Sequence, residues 1–153
     1  MSPLPRIGIT MGDPAGIGPE IVVKALSKPD LYAAVRPVVL GDPAAVGAWV
    51  DMTPGLHLRE VDGMENVGGQ AGVLDLLPTS RLDPARLRPG VPTPEGGEAM
   101  VAAVTRAVEL ALRGELDAVV TAPISKVLMQ QAGYAFEGHT QLLAHLTGAA
   151  EVV

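Results

Sequence analysis

A short motif occurs twice near the start of this chain, each time in the same local setting. Residues 10–20 read TMGDPAGIGPE, and residues 41–47 read GDPAAVG, a near copy without the closing Gly-Pro-Glu. Both copies follow a short apolar run and both lead into a helical pattern. A strand that hands over to a helix through a glycine-rich turn, and then does so again, predicts an α/β fold with a largely parallel sheet and flanking helices. Composition agrees. Hydrophobic residues make up 48% of the chain, yet its aromatics are one Trp, two Tyr and one Phe. Small aliphatic side chains therefore have to provide the close packing of helices on a sheet buried on both faces.

The remaining elements follow from pattern. Arg6 to Thr10 and Pro37 to Leu40 read as strands, and Pro19 to Ser27 and Ala44 to Val50 as the helices after them. Leu56 to Glu60 alternates as a strand does, and Val73 to Leu77 is a weaker candidate. Five prolines between Pro78 and Pro94 mark a connector. The helix from Glu95 to Leu112 carries Met100, Val104, Val108 and Ala111 at helical spacing, and Gly114 suits its end. Asp117 to Thr121 then reads as a buried strand, with Pro123 opening a helix that stops near Gly133. His139 precedes a further short helix ending near Gly148. The closing Glu151-Val152-Val153 looks like a strand cut in mid-element, so the chain is expected to be a truncated piece of a longer protein.

Several functions are disfavoured by composition. A net charge of −6, with only eleven scattered Lys and Arg, argues against nucleic acid as the main partner. The absence of cysteine removes disulfides, thiolate chemistry and Cys-based metal sites. No apolar run approaches membrane length and the N-terminus lacks a signal-peptide pattern, so a soluble cytoplasmic protein is expected.

Two stretches can carry chemistry. In the first loop Gly12, Gly16 and Gly18 are spaced G-x-x-x-G-x-G, which is neither the dinucleotide fingerprint nor a P-loop. Such glycines still let backbone approach a ligand, and Asp13 and Glu20 place carboxylates at the same edge. The competing reading is helix capping by Asp, which is favoured for the second copy and balanced for the first. The second stretch is TAPISK, Thr121 to Lys126, with GHT at Gly138 to Thr140. Thr121 stands at the carboxyl end of a parallel strand, where α/β sheets bind ligands. Lys126, about one helical turn further on, could meet a phosphate or carboxylate, although a solvated face is the commoner role of a lone helix lysine. Imidazole, hydroxyl and free backbone N–H groups can converge on an anion at His139 and Thr140, with capping an equally good explanation. His57 and His145 lie in other elements, and His145 is six residues from His139, which is not a metal-ligand spacing on one helix face. Met11, Met100 and Met129 read as packing residues.

Taken in order, ITMGDPAGIGPEI, VVLGDPA, EGGEA, VVTAPISK and FEGHTQ resemble the N-terminal half of the 4-hydroxythreonine-4-phosphate dehydrogenase (PdxA) family. The resemblance implies an isocitrate/isopropylmalate dehydrogenase-like fold that binds NAD without a Rossmann fingerprint. It also implies NAD- and divalent-metal-dependent oxidation and decarboxylation of 4-hydroxythreonine 4-phosphate, or of D-threonate or D-erythronate 4-phosphate in related enzymes. An incomplete domain that at most binds an anion is the non-enzymatic alternative. By the same resemblance residues 1–125 form a first α/β domain and residues 126–153 begin a second, dimerisation and metal-binding domain. His139 and Thr140 match positions that contact the phosphorylated substrate, and Lys126 a position that contacts substrate or assists proton transfer. Asp13, Gly16, Gly18 and Glu20 match a cleft loop that touches cofactor. The metal (Zn, Mg or Co) is expected to find its histidine ligands outside this chain, and the whole protein to act as a homodimer. Gln141 departs from the family's usual Glu after Gly-His-Thr and alters the local hydrogen-bond network there.

Overall fold

The computed structural model describes residues 3–150. Within them β1 (Arg6–Thr10), β2 (Arg36–Gly41), β3 (His57–Glu60), β4 (Val73–Pro78) and β5 (Ala118–Thr121) form one sheet in the order β3-β4-β2-β1-β5. Every neighbouring pair is parallel. The helices are α1 (Gly18–Leu26), α2 (Pro43–Asp51), α3 (Pro94–Leu112), α4 (Lys126–Gln131) and α5 (His139–Thr147), with 3-10 turns at Pro29–Ala33 and Met64–Asn66. The expected α/β architecture and its parallel sheet are both present. The residues 151–153, read as the start of a strand, lie outside the described part of the chain.

Alternation along β2 separates two layers of core. Val39 packs with Val22, Val23 and Leu26 of α1 and Val46 and Val50 of α2. Its neighbours Val38 and Leu40 point the other way, onto Ala103, Ala107 and Leu110 of α3. That period of two, buried on both sides, is what a central parallel strand requires. The far side of α3 is buried as well, because Met100, Val104 and Val108 meet Met129 of α4 and Leu142 of α5. The methionines at 11, 100 and 129 are buried packing residues, as expected.

Two local readings are corrected. The strand expected over Asp117 to Thr121 is read from its sequence as buried, yet β5 (Ala118–Thr121) is the edge of the sheet among the described residues, and Val120 is 52% exposed. An apolar run reports burial potential and does not say whether a neighbour is present on the outer side. The helix expected to open at Pro123 begins at Lys126 instead. Ser125 Oγ accepts from the N–H of Leu128 and caps it, while the carbonyl of Pro123 accepts from the N–H of Asp13. Pro123 therefore belongs to an extended link that ties β5 to the first Gly-Asp-Pro-Ala loop.

Candidate functional site

The carboxyl ends of β1 and β5 lie side by side, with Thr10 and Thr121 in register. This is the edge where ligands bind in open parallel sheets. The first loop leaves β1 here and closes on the segment after β5. Gly12 has φ of 73°, and a side chain there would run into the carbonyl of Pro123. Pro123, Ile124 and Lys126 form one side of an open cleft of about 620 Å³, and Glu137, Gly138, His139, Thr140 and Gln141 the other. The structure thus brings together Lys126, His139 and Thr140, which the sequence places apart.

The cleft is built around an uncapped helix. α2, α3 and α4 each begin with a side-chain cap, from Asp42, Thr93 and Ser125. α1 has no side-chain cap, and α5 is preceded by Gly138, which has no side chain to offer, so no side-chain acceptor meets its first N–H groups either. Among the described residues no acceptor takes the N–H of His139, Thr140 or Gln141. Free donors at a helix start favour an anion, through both hydrogen bonding and the helix dipole. Lys126 approaches the same point: its Cε lies 3.8 Å from where a side chain on Gly138 would begin.

His139 adds a third element. Its Nε2 is buried without a hydrogen-bond partner among the described residues, and burial pushes its pKa below the usual imidazole value. A buried ring nitrogen with no partner is a costly arrangement unless a ligand oxygen completes it. Gln141 holds the approach to the helix: its Oε1 accepts from the N–H of Glu137 at 2.9 Å and its Nε2 donates to the Glu137 carboxylate at 3.4 Å. A glutamate at 141 could accept the first bond but would set a second carboxylate against Glu137. Glu137 is the lining residue that sequence reasoning missed. Its position directly before Gly-His-Thr was the available signal.

The first loop is less open than its glycines suggest. A side chain at Gly18 would collide with the carbonyl of Met11, so this glycine lets α1 sit tightly on the loop. A Cβ at Gly16 would press on the Asp13 carboxylate at 3.2 Å. Asp13 Oδ1 accepts from the N–H of Ala15, which makes an Asx turn and not a helix cap. Glu20 pairs with Lys24 at 2.6 Å along the exposed side of α1. The second copy is structural, as expected: Asp42 is fully buried and caps α2 through the N–H groups of Ala44 and Ala45. Among the described residues no group of three or more His, Asp or Glu could hold a metal ion. His57 and His145 are exposed in separate elements, and His145 rests against Phe136 with ring centres 5.1 Å apart.

With this geometry in place, similarity to known proteins is informative. The family model described as pyridoxal phosphate biosynthetic protein PdxA matches residues 33–153. A 4-hydroxythreonine-4-phosphate dehydrogenase from Desulforapulum autotrophicum is 45% identical over 94% of this chain and 42% of its own length. A D-threonate 4-phosphate dehydrogenase from Salmonella typhimurium is 40% identical over 92% of this chain and 43% of its own. The crystal structure of a 4-hydroxythreonine-4-phosphate dehydrogenase from Burkholderia phymatum superposes with a TM-score of 0.92 at 36% identity, covering 98% of this chain and 46% of that one. The chain therefore spans less than half the length of the relatives it matches.

Proposed function

The chain belongs to the PdxA family of dehydrogenases, and from that premise we propose that the whole protein oxidises and decarboxylates 4-hydroxythreonine 4-phosphate, using NAD and a divalent metal, in pyridoxal phosphate biosynthesis. The observation that carries the substrate class is the uncapped start of α5 in one cleft with Lys126 and His139. We assign donation to phosphate oxygens to the N–H groups of residues 139–141 and the Thr140 hydroxyl, charge balance to Lys126, and a further substrate contact to His139. When bound, NAD supplies the hydride acceptor and a divalent ion (Zn, Mg or Co) the Lewis acid. We assign the ligands of such an ion to the part of the longer relatives that this chain does not span. We assign the cofactor contact of the Asp13–Glu20 loop to the Asp13 carboxylate, which Gly16 leaves unobstructed, with Gly18 and Glu20 shaping that loop. We also assign to Lys126 the moving of a proton to or from the substrate. A homodimer in the cytoplasm is part of the proposal.

A second reading, oxidation of D-threonate or D-erythronate 4-phosphate, is favoured by the Salmonella relative and uses the same phosphate contacts. The test is turnover of each substrate by the protein carrying both halves, supplied with NAD and a divalent metal. Turnover of the amino acid phosphate and not of the sugar-acid phosphate supports the first reading; the converse supports the second. This chain alone is expected to show no turnover. His139→Ala in the whole protein should raise KM for the phosphorylated substrate about tenfold or more, the size expected for a hydrogen bond to a charged group. An unchanged KM would remove His139 from the site.

A further inference from the structure

The start of α5 is braced by its own third residue. In a capping box, that residue's side chain reaches back to the N–H of the residue just before the helix, which caps in return. α5 carries half of this device and displaces it by one position. Gln141 Oε1 accepts from the N–H of Glu137 at 2.9 Å, and Gly138 has no side chain to return a bond. The brace therefore lies outside the helix and uses none of the N–H groups of residues 139–141. It also spans the point of greatest backbone freedom. Gly138 is held at φ of 165° and ψ of −170°, and glycine loses more conformational freedom on ordering than any other residue.

The same side chain answers a charge conflict. Glu137 lines the cleft assigned to the phosphate, and a carboxylate beside a phosphate repels it. Gln141 Nε2 donates to that carboxylate at 3.4 Å, so Glu137 meets a neutral donor there. We propose that Gln141 is a positioning residue of the phosphate site. One end of its amide fixes the Glu137–Gly138 link, so that the N–H groups of α5 stay both free and ordered; the other end gives the Glu137 carboxylate a neutral partner. In this role it acts through the backbone on either side of Gly138 and through Glu137. The other charged or titratable groups around this end of α5 are Lys126, His139 and, four residues further on, His145. α3 meets α5 through apolar side chains. The proposal rests on the phosphate site assigned above and not on the reaction.

The test is calorimetric titration of inorganic phosphate into the protein carrying both halves, with a urea midpoint for each variant. Gln141→Ala removes both bonds and should weaken phosphate binding about threefold to tenfold, the worth of one ordinary hydrogen bond. Gln141→Glu keeps the acceptor for the Glu137 N–H and adds negative charge at a helix start, so its midpoint should stay near that of the unaltered protein. Its phosphate affinity should nevertheless fall about tenfold at pH 7.5, because two carboxylates then stand beside the anion. Relative to the unaltered protein that loss should shrink toward about pH 5, as the paired carboxyl groups come to share a proton. His139, His145 and the phosphate itself titrate in both proteins and cancel from the ratio. The double variant Glu137→Gln/Gln141→Glu exchanges the two groups and should recover the affinity to within about threefold. Affinity that falls only in step with the urea midpoint would overturn the proposal, as would a loss that the exchange does not repair. If His139→Ala weakens phosphate binding and the Gln141 variants do not, the positioning role falls and the phosphate site stands; if none of them changes it, both fall. The expected pattern in a protein that turns over no substrate would sink the proposed reaction and leave the role of Gln141 intact.

Discussion

The two Gly-Asp-Pro-Ala loops share a sequence and differ in what closes around the aspartate. Asp42 is enclosed. Its Oδ1 accepts from Ala44 and Ala45, and its Oδ2 accepts from the Ser80 hydroxyl and the Leu82 N–H, both at 2.7 Å. This carboxylate caps a helix and fastens the connector after β4 to the end of β2. Asp13 makes one turn bond, to Ala15, and stands at the edge of the sheet that carries the candidate site. The same four residues thus build a staple in one place and a half-open loop beside the candidate site in the other. What separates them is contributed by residues far along the chain, Ser80 and Leu82 in one case and Pro123 in the other.

The largest expected effect follows from that contrast. Asp42→Ala should destabilise the protein by about 2–4 kcal/mol, since it removes a cap and leaves the half-buried donors of Ser80 and Leu82 without their acceptor. Asp13→Ala should cost about 0.5–1.5 kcal/mol, the worth of one ordinary hydrogen bond. Urea titration of both variants would read the difference. Equal losses would mean that the two loops are energetically equivalent, with Asp42 no more a staple than Asp13.

A sharper comparison uses the final glycine of each copy, where even the sign should differ. At Gly18 a Cβ meets the carbonyl of Met11, so Gly18→Ala should cost about 1–3 kcal/mol through forced backbone movement. At Gly47, inside α2, the nearest atom to a new Cβ is Leu58 Cδ2 at an ordinary 3.5 Å. Gly47→Ala should therefore stabilise by about 0.4–1 kcal/mol, because it restricts the unfolded chain and suits the helix. Thermal or urea midpoints that move the same way in both variants would refute the close-approach account of Gly18.

Much of this architecture is legible in the sequence alone. The strand-to-helix handovers, α3 with its internal repeat and the parallel sheet all follow from local period and turn chemistry. So does the capping role of the second copy. What is not legible depends on partners distant in sequence. The run Ala-Val-Val-Thr reads as buried, and only the sheet order reveals β5 as an edge among the described residues, with Val120 in the open. The spacing of Pro123 suggests a helix start, but its carbonyl is taken by Asp13, over a hundred residues earlier. At the site, Gly138 and His139 are identifiable as a helix start, whereas the approach of Lys126 and the clamp between Gln141 and Glu137 require the folded geometry.

The capped and uncapped helices can be made alike. Gly138 has φ of 165°, extended backbone open to any residue, and its Cβ would have only the Lys126 stem nearby. Gly138→Asp would give α5 the cap that Asp42 gives α2. It should stabilise the protein by about 0.5–1 kcal/mol while weakening inorganic phosphate binding about tenfold or more, since the cap occupies donors that the anion needs. Stability and binding should move in opposite directions. A gain in both, measured by urea midpoint and phosphate titration, would show that these N–H groups do not hold the anion.

The smallest effect concerns His139, the opposite of Asp42 in that its buried ring nitrogen has no partner among the described residues. Its folded pKa is lowered by desolvation from the ordinary value of 6.5. The unfolded chain then binds the proton more readily, so this contribution to stability is complete above about pH 6.5 and is lost as pH falls through the lowered folded value. A phosphate dianion beside the ring favours the imidazolium and offsets that loss. The fall in stability between about pH 7.5 and 5.5 should therefore shrink when inorganic phosphate is added, and shrink without it in His139→Ala. His57→Gln, at an exposed strand position, should leave the slope as it is. A slope indifferent to both phosphate and His139→Ala would separate the imidazole from the anion, leaving the N–H groups of α5 and Lys126 to hold it alone.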